Sequence, residues 1–150
     1  GVALEIERAI IRVAEADIEK AIKDHLAAQG DMDLESVRVL EEGVVARGRY
    51  EMGWMKVGVE LVFVPRAEDQ KLRFDLSSLR MIQGVGLPGM VRGLIMDMVA
   101  ELLRDMAGVS VDGETIWVDP ASATRDLGFE VSAAISGVSL LPGKLQISIG

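Results

Sequence analysis

Apolar and polar residues alternate with a period of two over most of this chain, and the breaks in that period outline its elements. Over residues 3–13, ALEIERAIIRV sets Leu4 and Ile6 against Glu5 and Glu7, then resumes out of phase as Ala9, Ile11 and Val13. The shift at Arg8 predicts a bulge or a strongly curved strand. Residues 15–29 change to helical spacing, with Ile18, Ala21, Ile22 and Leu26 on one stripe and Gly30 as the stop. Four strand patterns follow. LESVRVL places Val37 and Val39 together, Glu42-Gly43 marks a turn, and VVARGRYEM opposes Arg47, Arg49 and Glu51 to Ala46, Gly48, Tyr50 and Met52. WMKVGVELVFV aligns Met55, Val57, Val59, Leu61 and Phe63 against Lys56 and Glu60, and Pro65 is expected to end it. KLRFDLSSLRMI gives Leu72, Phe74 and Leu76, then slips by one residue at Ser77-Ser78 before Leu79 and Met81, a second candidate bulge.

The next pattern is helical. GVGLPGMVRGLIMDMVAELLRDMAGVSV, residues 84–111, carries four of the chain's eight methionines. At 100° per residue, Val91, Ile95, Met98, Val99, Leu102, Leu103 and Met106 form one arc; Met90 and Leu94 extend it, and Met96 widens it. That arc spans roughly 200°, about twice the stripe of an ordinary surface helix, so an enclosing, concave sheet is expected around residues 88–106. Such a helix is either plain core or one wall of a cavity, since unbranched thioethers repack around flexible ligands. Beyond it lie a short strand (ETIWVD), a polar loop or helical turn (PASATRDLG) and two closing strands, FEVSAAISGVSLL and KLQISI, joined at Pro142-Gly143. Strands joined by short turns with two helices on one face imply an α+β fold: a long, curved antiparallel sheet around the second helix, in one domain spanning residues 1–150.

Composition narrows the partners. Hydrophobic residues make up 49% of 150 residues and charged ones 27%, a globular balance, while only 4% are aromatic, so the interior is aliphatic. With 24 acidic against 16 basic residues the net charge is −8, which repels nucleic acid and offers no polybasic attraction to anionic membranes. Contact with lipid is therefore expected to be apolar, local and transient. No run reaches the about 18 apolar residues of a membrane span; the longest, residues 90–106, is interrupted by Arg92, Asp97, Glu101, Arg104 and Asp105. The chain opens at Gly1 inside a strand pattern, so a signal or anchor segment is expected to be missing from this sequence.

Catalytic chemistry is sparse. There is no cysteine and one histidine, His25, which reads as a solvated or half-packed helical residue. Asp31, Asp33 and Glu35 read as turn acids or a weak Ca²⁺ site; no metal site is expected at any familiar spacing. Ser77, Ser78, Ser132, Ser136 and Ser139 have no base that position recommends. The Gly84–Gly89 loop lacks the Lys-Ser/Thr of a phosphate loop. Neither a cofactor nor an enzymatic role is expected. Trp54, on the polar phase of its strand, is a packed sheet-end residue or an exposed anchor for a membrane or dimer.

The order of these patterns resembles a known group. IIRVAEADIEKAI is similar to the strand-then-helix opening of bacterial envelope lipid-binding proteins of the LmeA type. LESVRVLEEGVVARGRYEMGWMKVGVELVFVPRAEDQKLRFDLSSLRM looks like their middle, VGLPGMVRGLIMDMVAELL their long second helix and ISGVSLLPGKLQISI their closing hairpin. The likeness extends over residues 4–149 and reaches the tubular lipid-binding (TULIP) superfamily, in which a curved sheet wraps a long helix and leaves an apolar groove. It implies an extracytoplasmic protein of the periplasm or cell envelope that binds phospholipid, in lipid transport or envelope maintenance. The expected lining is Val91, Leu94, Ile95, Met98 and Leu102 from the helix, with Met55, Val57, Val59, Leu61, Phe63, Leu72, Phe74 and Leu76 from the sheet. The alternative is a structural or interaction module whose apolar face is a filled core or a homodimer interface.

Overall fold

The computed structural model describes residues 2–27, 32–82, 89–124 and 128–150, with the side chains of Met32, Met52, Met55, Phe129 and Glu130 outside that description. Gly30, Asp31 and the Gly84–Pro88 part of the glycine-rich loop also lie outside the described residues. The elements run β1 (Val2–Ile6), β2 (Ala9–Ala14), α1 (Glu15–Leu26), β3 (Met32–Leu40), β4 (Gly43–Met52), β5 (Met55–Glu68), β6 (Lys71–Met81), α2 (Gly89–Leu103), β7 (Val109–Asp112), β8 (Thr115–Val118), α3 (Pro120–Ala123), β9 (Phe129–Ala133), β10 (Ile135–Leu141) and β11 (Lys144–Ile149). This is an α+β fold with mostly antiparallel sheets.

Its strands divide among three sheets in place of the single one expected. Six form the order β3-β4-β5-β6-β8-β7, three form β10-β11-β2, and β1 pairs with β9 in parallel. The phase shift at Arg8 is therefore a break between two strands in different sheets, since a one-residue slip turns every following side chain to the opposite face. The second slip is a bulge: Val62 pairs with Ser78 and Phe63 with Leu76, leaving Ser77 as the extra residue. Pro65 does not end β5. Beyond Phe63 that strand has no β4 partner, and a missing N–H is tolerated where a strand has a neighbour on one side only. The Asp112-Gly113 turn joins β7 to β8, a hairpin partner that the period of two in so short a segment did not reveal.

Charge fixes α1 along the open edge of the large sheet. The β3 amides of Val37 and Val39 donate to Glu19 Oε1 (2.8 Å) and Glu15 Oε2 (2.7 Å). These bonds cover backbone donors that an edge strand would otherwise offer to another chain. The Val37 amide, then Lys23, hold the Glu19 carboxyl below the usual range, against a smaller opposing effect of burial.

Alternation along β5 separates two faces. Val57, Val59, Leu61 and Phe63 point inward, where Ile95 and Met96 of α2 pack on them with Leu76 and Leu79 of β6. A second cluster joins Val37, Val39, Val44 and Leu145 with Ile18 and Ile22 of α1, and a third joins Leu72 to Ile135, Ile147 and Ile149 of the small sheet. Phe74 packs against all three clusters and so ties the layers together. Gly108 turns the chain from α2 into β7 at φ +78°, and a Cβ there would lie 2.5 Å from the Ala123 nitrogen.

Candidate apolar binding site

Two small residues create a void on the inward face. Ala46 and Gly48 of β4 stand opposite Leu61 and Val59 of β5, filling almost none of the layer between sheet and helices. The result is a cavity of about 100 Å³. Leu34 of β3, Leu61 and Phe63 of β5 and Ile116 of β8 line its sheet side, and Ile22 and Leu26 of α1 with Val99, Leu102 and Leu103 of α2 line its helix side, leaving it about half open. Arg47 also borders it, but the Arg47 guanidinium lies with Glu60 on the outer face, Nε to Oε2 at 2.8 Å. No side-chain nitrogen or oxygen among the described residues is buried without a partner.

Of the residues the sequence nominates as lining, Leu61, Phe63 and Leu102 border this cavity. Val57, Val59, Leu76 and Ile95 are packed together in the core, with Phe74, Val91 and Met98 partly buried against them. Leu72 belongs to the core under the small sheet, because β6 passes from beneath α2 to beneath β10–β11 along its length. Leu94 is 58% exposed and Met90 79%, on the outward side of α2, whereas Met96 is buried at 2%. The apolar arc is thus shifted toward Met96 relative to the even count. The Met55 side chain lies outside the described residues. Ile22, Leu26, Leu34 and Ile116 were not nominated as lining; the stripe on α1 was legible, but not which sheet face it meets.

Polar side chains gather on the outer face instead. Glu60, 6% exposed, accepts from Arg80 Nε and Nη2 (3.0 and 2.8 Å) and from Arg47 across three adjacent strands. Arg80, then Arg47, hold its carboxyl below the usual range against the opposing effect of burial. Asp75 is likewise lowered: burial pushes it up, but Arg73, Thr115 and Arg66 outweigh that push. Arg73 in turn stacks over Trp117 at 5.3 Å. Asp33 and Glu35 engage Lys56 and Arg49, and among the described residues no group of three acids or histidines is placed to hold a metal ion. Trp54 stands 93% exposed at the β4–β5 turn. His25 is half-buried, and its Nε2 lies 2.8 Å from the Leu102 carbonyl of α2. Among the described residues no helix is long and apolar enough to cross a membrane. Comparisons with protein-family models, with curated proteins and with solved structures found no match to this chain.

Proposed function

We propose that the chain is a non-enzymatic binder of acyl-chain lipid, phospholipid or fatty acid, which takes the apolar tail into the cavity between α1, α2 and the large sheet. The observation that carries this reading is a void walled by aliphatic and aromatic side chains from α1, β3, β5, α2 and β8, with charged groups held to the opposite sheet face. Leu34 and Ile116 border the same cavity although β3 and β8 are four strand spacings apart. In a flat sheet that separation is about 19 Å, so their place on one small cavity favours a curved sheet, as in the TULIP-like half-module that the sequence pattern resembles. An extracytoplasmic location, in the periplasm or cell envelope, belongs to the same proposal.

Size sets a condition on binding. An apolar cavity of roughly 150 Å³ accommodates benzene, so about 100 Å³ holds only the end of a chain until the helices part. Each methylene buried contributes about 0.8 kcal/mol, and ten of them offset the lower part of the association cost. Native mass spectrometry and organic extraction of the purified protein test the reading. Stoichiometric lipid supports it; a ligand-free protein that ignores fluorescent fatty acids overturns it.

A second reading has its own observation. Met90 and Leu94 present an apolar pair one helical turn apart on the exposed side of α2, which suits an interface between copies. Under that reading, sedimentation shows concentration-dependent association that Leu94→Asp abolishes, and added lipid has no effect; a monomer at all concentrations removes it.

A further inference from the structure

The cavity is a half-open space between α1 and α2, and those two helices are tied to each other in an uneven way. Ile22 and Leu26 meet it from one side and Val99, Leu102 and Leu103 from the other. Almost every polar contact of α1 is directed elsewhere: Glu15, Glu19 and Lys23 all bond to the backbone of β3. Among the described residues, one recorded hydrogen bond joins α1 to α2, that of His25 Nε2 with the Leu102 carbonyl at 2.8 Å, and no recorded ion pair does.

That bond has a specific reason to exist. The last four carbonyls of a helix have no partner within it. In the last turn of α2 the Glu101 and Leu103 carbonyls accept from the Arg104 and Met106 amides. The Leu102 carbonyl accepts from His25 instead. A carbonyl only accepts, so Nε2 carries the proton. Leu102 thereby borders the cavity with its side chain and meets the opposite helix with its carbonyl.

We infer that His25 is the latch of this pocket: its bond to the Leu102 carbonyl holds α1 and α2 in the narrow, unloaded arrangement, and an acyl chain enters beyond its end only when that bond breaks. The inference rests on the lipid-binding reading. If the latched form dominates, the apparent affinity equals the unlatched form's affinity scaled by the unlatched fraction, so weakening the latch tightens binding. A purely structural histidine acts oppositely, because its loss would weaken the site.

Binding of cis-parinaric acid to the full chain, followed by fluorescence, separates the two. His25→Ala is expected to bind about 3- to 10-fold more tightly, the factor that one neutral hydrogen bond supplies, and to take up the probe faster by a similar factor. His25→Gln, which restores an N–H donor, is expected to return toward the wild-type affinity. Unchanged or weaker binding by a His25→Ala protein that still melts cooperatively overturns the latch. Nitrogen-15 NMR of the wild-type imidazole provides a second measurement that needs no variant. The ligand-free protein is expected to show the Nε2–H form with a slowly exchanging proton, lost on saturation with cis-parinaric acid. An Nδ1–H form, or a bond that persists in the loaded protein, overturns the latch alone; failure of the wild-type chain to bind cis-parinaric acid overturns the lipid-binding reading as well.

Discussion

Replacing Ala46 by leucine tests the cavity from the inside. Ala46 lies on the inward face of β4, between Val37 and Leu61, and borders the void directly. Leucine adds three carbons where about 100 Å³ is empty. At roughly 24 cal/mol per Å³, an unfilled cavity of about 100 Å³ costs about 2.4 kcal/mol. The transfer of three methylene-sized groups, at about 0.8 kcal/mol each, reaches the same size. These are two views of one gain and do not add. Ordering the leucine rotamer takes back about 0.5–1 kcal/mol, so Ala46→Leu is expected to stabilise the protein by about 1.5 kcal/mol. For a chain of this length that raises the midpoint of a thermal melt by about 3–6 °C. Urea unfolding at constant m-value measures the free energy. The same variant is expected to lose binding of cis-parinaric acid, because the added side chain occupies the place of the acyl end. Destabilisation by 1 kcal/mol or more would mean that the site has no room for the added side chain. Stabilisation with unimpaired binding would place the lipid elsewhere.

On the outer face, Glu60→Gln leaves Arg47 and Arg80 without their shared carboxylate. Both guanidinium side chains are close to half exposed (48% and 44%), so the loss is discounted to about 1–2 kcal/mol in urea unfolding, and a neutral result would make the triad an ornament of the surface. Glu19, Glu60 and Asp75 all titrate lower in the folded chain than in the unfolded one. The unfolded chain therefore binds more protons as pH falls, and these groups contribute fully above the ordinary carboxylate range and lose that contribution as pH falls through their depressed values. Urea midpoints are expected to drop between pH 6 and pH 3, less steeply in Glu60→Gln, and a flat profile would contradict the assigned partners. Gly108→Ala combines a positive φ with a Cβ 2.5 Å from the Ala123 nitrogen, so it is expected to cost about 2 kcal/mol or more in a thermal melt. A neutral substitution would show that the α2–β7 joint has slack.

The periods of two and 3.6 made most strands and the two longer helices legible, because each element buries one face and local sterics dictate how often that face recurs. Even the Ser77 bulge and the break at Arg8 left marks, since a one-residue slip reverses every later side chain. The break did not say that β1 would leave the ladder and run parallel to β9, a pairing across more than a hundred residues. Periodicity also overextended the greasy face of α2. Leu94 fits the arc by angle and yet stands exposed, while Met96, at its margin, is buried. Which sector of an apolar helix is covered depends on the neighbour that covers it.

The candidate site divides along the same line. Leu61, Phe63 and Leu102 could be named from alternation and helical spacing alone. Ala46 and Gly48 leave no hydrophobic signal, because what they contribute is absence of volume, and that matters only opposite α1 and α2. His25 read as an isolated helical histidine until the end of α2 was brought against it. By itself the sequence determined the aliphatic interior, the excess of negative charge, the α+β class and the inward faces of the central strands, all consequences of residue chemistry acting over a few positions. Only the tertiary structure decided that the strands divide into three sheets, that Leu34 and Ile116 share one cavity and that His25 meets the Leu102 carbonyl at the end of α2, because those depend on contacts between segments far apart in the chain.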